Sequence, residues 1–197
     1  MNSLKERFKE TARKYITREG IDDLLEYLDG SDFYTAPAST IYHGSYEGGL
    51  VEHSLNVFNS LLAEVKFTYG EEWQECISLE SIAIVALFHD LCKVNSYTTY
   101  MRNVKNEVTG QWEKKECYKR DPLFPMGHGD KSLFIVMNYM KVKPSEALAI
   151  KWHMGAFDTS EYSSVNELSK AYESCPLAFL LHIADMKTTY IYENEEN

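Results

Sequence analysis

The sequence has no uninterrupted apolar stretch approaching the roughly 20 residues needed to cross a bilayer. Its opening residues, Met1-Asn2-Ser3-Leu4-Lys5-Glu6-Arg7, are charged and lack the apolar centre of a signal peptide. These two absences predict a protein with no membrane contact, and the cytoplasm is the expected compartment. Cysteine is scarce too: Cys76, Cys92, Cys117 and Cys175 lie far apart, with no Cys-x-x-Cys. That spacing argues against a zinc-thiolate motif and a disulfide framework, leaving four free thiols. Basic residues are outnumbered, 20 Lys and Arg against 30 Asp and Glu, for a formal charge of -10. An extended footprint on duplex nucleic acid is therefore not expected, because such binding is driven by neutralising phosphates. A small anionic substrate stays admissible, since bound cations can reverse the local field in a buried site. There is no internal repeat and no low-complexity linker.

What is present can build a sizeable core: 197 residues, 44% apolar and 13% aromatic, fit a single domain over 1–197. Ser3 and Glu6 form a capping-box pattern ahead of Leu4, Phe8, Ala12 and Tyr15 at helical spacing. A second short helix over Asp22–Asp29 completes an N-terminal pair, 1–30, expected to pack on the rest. Residues 31–49, with Pro37, Gly44, Gly48 and Gly49, read as a packed-down loop, and Leu50 to Tyr69 as a long amphipathic helix. Ser78 caps a helix whose residues Ile82 to Phe88 are all apolar, which predicts a central position. The period then changes. Tyr97–Lys105 and Gln111–Lys119, separated by Asn106–Gly110, predict a β-hairpin insertion within 97–120. Helices follow over Lys131–Met140, Pro144–His153, Asn166–Ser174 and from Pro176 to about Tyr192. The fold class is all-α with one small hairpin.

The apolar helix ends on His89-Asp90, two metal-ligand types placed where burying polar groups is costly unless something pairs with them. His53, His128, His153 and His182 stand in comparable settings, and Asp185 interrupts the apolar run of the last helix. A lone histidine in an apolar helix is more often a hydrogen-bonded core residue, but so many together favour a metal site. Imidazole and carboxylate suit divalent Zn, Fe, Mn or Ni without distinguishing them, and a carboxylate can bridge two such ions. The gaps between these residues match no short metal motif.

Gly48-Gly49-Leu50-Val51-Glu52-His53, Leu87-Phe88-His89-Asp90-Leu91-Cys92-Lys93, Met126-Gly127-His128, Trp152-His153 and Leu181-His182-Ile183-Ala184-Asp185 together resemble the HD-domain metal-dependent phosphohydrolase superfamily. The nearest likeness is the HD domain of bacterial 3′-to-5′ exoribonucleases, and it spans about Tyr42 to Asp185. The resemblance implies the helical HD fold, and it implies that His53, His89, Asp90 and Asp185 hold one metal while Asp90, His128 and His153 hold a second. It implies hydrolysis of a phosphoester of a nucleotide, cyclic nucleotide or short oligonucleotide by a hydroxide shared between the two metals. The chain lacks an oligonucleotide-binding module before the domain, which weighs against processive RNA degradation.

Several roles can be attached to further residues. Lys93, one turn beyond His89, is expected to orient Asp90 or bind a phosphate oxygen, and His43 to protonate the leaving group or bind substrate. Arg102 and Lys105 are candidate phosphate contacts. Tyr97, with Tyr100, Tyr118 and Tyr162, is a candidate for stacking on a base. Asp130 is expected to cap a helix, and His182 to support the site or pack beside it. Two competing functions keep the fold and change the chemistry: a di-iron oxygenase, and a non-catalytic metal- and nucleotide-binding regulatory module. The exact substrate and the oligomeric state are left open by the sequence, and an oligomer is compatible with it.

Overall fold

The computed structural model describes residues 3–106, 108–122, 124, 126–158 and 162–193, with backbone alone at 158 and 162–164. It is mostly helical with one two-stranded antiparallel sheet. Helix α1 (Leu4–Tyr15) begins on the expected capping box, in which Ser3 and Glu6 each accept from the other's backbone N–H. Helix α2 (Ile21–Asp29) buries Leu24, Leu25 and Leu28. The Phe8 ring meets Phe33 at 4.9 Å and Phe88 at 6.0 Å, tying α1 and the following loop to the centre of the molecule.

The loop over residues 31–48 is held by its own backbone, with Ala38 N–H donating to Gly44 O and Gly48 N–H to Thr35 O. It delivers the chain into α3 (Gly49–Tyr69). A side chain at Gly49 would place Cβ 2.0 Å from Gly44 O, so only glycine lets the loop fold back against the helix start. After the short α4 (Trp73–Cys76), Ser78 Oγ accepts from Ser81 N–H and opens α5 (Leu79–Phe88). Every residue of α5 from Ser81 to Phe88 is buried, as expected of a helix apolar on all faces. Each large side chain fully buried there contributes roughly 1.5–3 kcal/mol of apolar transfer. Helices α3, α7 (Pro144–Trp152) and α9 (Pro176–Lys187) pack around α5.

The hairpin forms from β1 (Tyr97–Lys105) and β2 (Trp112–Arg120), in register Tyr97↔Arg120 to Lys105↔Trp112. Asn106 Oδ1 accepts from Val108 and Thr109 N–H, an Asx-type turn that sets this register one residue later than the sequence pattern did. Helix α6 (His128–Met137) begins earlier than Lys131, so Asp130 lies inside the helix. It pairs with Lys151 at 2.6 Å rather than capping. Helix α8 (Tyr162–Ser174) likewise starts before Asn166. The last helix stops short of Tyr192: α9 ends at Lys187 and passes into a π-helical turn, Thr188–Tyr192. No helix among the described residues is long and apolar enough to cross a membrane. Cys76, Cys92, Cys117 and Cys175 are free.

Candidate metal centre

Helix ends bring the histidines together. His89 and His153 occupy the C-terminal caps of α5 and α7, where each ring Nδ1–H donates to the carbonyl three residues back, Ala86 O at 2.8 Å and Ile150 O at 2.7 Å. A carbonyl only accepts, so the proton is on Nδ1 and the Nε2 lone pair points away from the helix. His53, in the first turns of α3, donates from Nδ1 to Glu193 Oε2 at 2.9 Å, which fixes its ring in the same sense. His128 opens α6. Its approach to His153 depends on Gly129, where a Cβ would fall 2.0 Å from Lys151 O, so α6 and α7 touch through backbone.

The Nε2 atoms of His53, His89 and His153 are buried and make no hydrogen bond. Leaving three such acceptors unpaired is costly unless a cation receives them. Asp90, 3% exposed, stands among them. Its Oδ2 lies 3.8 Å from His53 Nε2 and 3.5 Å from His89 Nε2, and its Oδ1 lies 2.7 Å from His128 Nε2 and 3.6 Å from His153 Nε2. Asp185 on α9 comes within 3.1 Å of His53 Nε2, close but not aligned for a hydrogen bond. These buried His and Asp groups could hold a metal ion.

The electrostatics favour ligation. Burial opposes the charge on Asp90, but Lys93 and the surrounding imidazoles more than offset it, holding the carboxyl well below its usual range. Asp185 is likewise buried and is held low by His53. Burial would lower His53, yet Asp185 and Glu193 on its two sides raise it to about 9. A positive charge is thus wanted at this point, and a proton or a divalent cation can supply it. Burial holds His128 below its ordinary value despite Asp90, which suits a neutral ligand.

Lys93 pairs with Asp90 Oδ2 at 2.6 Å, and that carboxylate keeps Lys93 charged despite its burial. The His43 ring lies 4.9 Å from that of His53, with both nitrogens buried and unpartnered. Burial first, then His53 and Lys93, lower it to about 4, so it is neutral near pH 7. His182 donates from Nδ1 to His153 O at 2.6 Å and stacks on Tyr172, which places it beside the site rather than in it.

A cavity of about 1140 Å³ opens over Asp90, Asp185 and His128, ample for a nucleotide. Tyr97 lines it and donates its hydroxyl to Ala38 O at 3.3 Å. Arg102 and Lys105 do not line it: they stand farther out on β1, in an exposed part of the strand. The basic residue that does reach the cavity from the hairpin is Arg120, cross-strand partner of Tyr97. Tyr100 is 45% exposed on the hairpin and outside the cavity wall, Tyr118 packs edge-on against Tyr97, and the Tyr162 side chain falls outside the described residues. Tyr42, Tyr46, Phe157, Tyr190 and Tyr192 rim the mouth instead, and each is largely exposed. Sequence reasoning passed over this rim and Glu193, because both depend on the loop fold and the π-helical turn. The one local signal for that turn is the Thr188-Thr189 pair, Thr188 Oγ1 bonding back to Ala184 O at 2.8 Å. Comparison with family models, curated proteins and solved structures returned no match.

Proposed function

We propose that the protein is a metal-dependent phosphohydrolase of HD type, acting on a phosphoester of a nucleotide, cyclic nucleotide or short oligonucleotide. The observation that carries this reading is the Asp90 carboxylate, whose two oxygens face two separate sets of imidazoles. In this reading His53, His89, Asp90 and Asp185 bind one divalent transition metal, and Asp90, His128 and His153 a second. Bound there, the metals supply an activated water for attack on phosphorus and neutralise charge on the phosphoryl oxygens. The chain's own residues do the rest. Lys93 holds Asp90 at the orientation that serves both metals, Arg120 draws the phosphate towards them, and neutral His43 meets the leaving group. Tyr97 and the aromatic rim take up the base by stacking.

Protein reconstituted with Mn, Fe, Ni or Zn is expected to retain close to two ions per chain and to hydrolyse a p-nitrophenyl phosphate mono- or diester. Metal analysis that finds none would remove this reading, and oxygen uptake in place of hydrolysis would move it to di-iron chemistry. Asp90→Ala should lose both ions together with activity, and undiminished metal content in that variant would sink the bridging role.

A further inference from the structure

Glu193 is a largely buried carboxylate beside the centre that the proposed ligand set leaves without a task. Its Oε2 accepts from His53 Nδ1–H at 2.9 Å and its Oε1 from Asn56 Nδ2 at 2.8 Å, and its side chain is 9% exposed. His53 thus has a carboxylate beside each ring nitrogen, Glu193 bonded at Nδ1 and Asp185 3.1 Å from Nε2. Both carboxylates come from the end of one helix. Residues spaced like Asp185 and Glu193 would sit about 80° apart around a continuous α-helix, from its 3.6 residues per turn. The wider turn over Thr188–Tyr192, closed by Glu193 N–H donating to Thr188 O at 2.9 Å, advances less per residue and swings Glu193 back towards the Asp185 face.

We propose that Glu193 is a positioning residue for the metal centre: it fixes the tautomer and ring orientation of His53 so that Nε2 presents its lone pair to the metal, and Asn56 fixes Glu193. This assignment rests on the metal-binding reading above. The other two buried imidazoles obtain the same service from helix-end carbonyls, Ala86 O and Ile150 O. His53 lies inside α3, where the carbonyl three residues back, Leu50 O, accepts from the Ser54 hydroxyl at 3.0 Å, and the residue after the π-helical turn supplies a carboxylate instead. Such carboxylate–histidine–metal pairs raise ligand basicity as well as ordering it.

The test is Co(II) affinity, measured by competition with a chelating dye, together with the ligand-field spectrum of the bound ion. Glu193→Ala should weaken binding about 10- to 100-fold and alter the spectrum. Glu193→Gln should recover much of the loss, because its amide oxygen accepts from His53 Nδ1–H once the Asn56 amide turns over to accept from the new N–H. Asn56→Ala, a change that favours helix and leaves α3 intact, should weaken Co(II) binding in the same direction and by less. Wild-type affinity in both Glu193→Ala and Asn56→Ala, or a Glu193→Gln protein as weak as Glu193→Ala, would overturn the proposal. A wild-type protein that binds no Co(II) would instead overturn the metal reading on which it stands.

Discussion

At the residue scale, the proposed hydrolysis turns on which cations reach the phosphate. Arg120 and Lys93 line the cavity, whereas Arg102 and Lys105 are carried away from it along β1. Arg120→Ala should therefore raise KM for a phosphoester about tenfold, the effect of roughly 1.4 kcal/mol of lost charge-assisted contact, and change kcat little. Arg102→Ala should leave both within about twofold, as solvated surface charges usually do. Steady-state kinetics on the two variants separates them, and equal losses in both would mean that the hairpin tip folds over the substrate. The metal-ligand candidates were legible in the sequence because each is a polar residue at an apolar helix end, and such placements are rare without a partner. The cation assignment was not legible in the same way, since a strand carrying several basic residues does not reveal which end of it faces inward.

At the element scale, the sequence marked helices wherever the apolar pattern was long or capped, as in α1, α3 and α5. It missed where backbone contacts decide. Asp130 reads as a cap but lies inside α6, where Lys151 takes its carboxylate. The end of α9 reads as plain helix, whereas the π-helical turn accompanies the bonds of Glu193 with His53 and Asn56. One inter-element contact sets a pH response. Glu146 on α7 is buried, and its bonds from Arg18, at 2.6 and 3.0 Å, from Lys143 N–H and from Ser81 hydroxyl more than offset that burial, leaving its pKa lowered. A carboxyl with a depressed folded-state pKa stabilises the fold above its unfolded pKa and loses that contribution as pH falls through the folded value. Urea midpoints of the metal-free protein should fall as pH drops below the ordinary carboxylate range. Glu146→Ala should cost about 3 kcal/mol at neutral pH by leaving the largely buried Arg18 with only Glu80 and the Lys141 carbonyl as partners, and it should flatten that acid limb. An unchanged acid limb in the variant would assign the pH response to other carboxylates.

At the scale of the whole molecule, the ligand candidates come from α3, α5, α6, α7 and α9, so one site gathers most of the fold. Metal binding should then act on global stability. An ion at 100 times its dissociation constant adds about 2.7 kcal/mol, which for a chain of this length raises Tm by roughly 5–10 °C. Differential scanning calorimetry with and without Mn or Zn, and after a chelator, checks this, and a Tm indifferent to metal would count against a site built from these helices. The cluster also has a sign. Asp90, Asp185 and Glu193 bring three negative charges, and Lys93 and the His53 imidazolium, its pKa raised to about 9, return two, so near pH 7 the bare site stands at about -1 inside a chain of formal charge -10. Two divalent cations, displacing the His53 proton, would carry it to about +2, the complement of a phosphate dianion. On the proposed reading, loading would invert the sign of the site, and phosphate is expected to bind more tightly once the cations are in place.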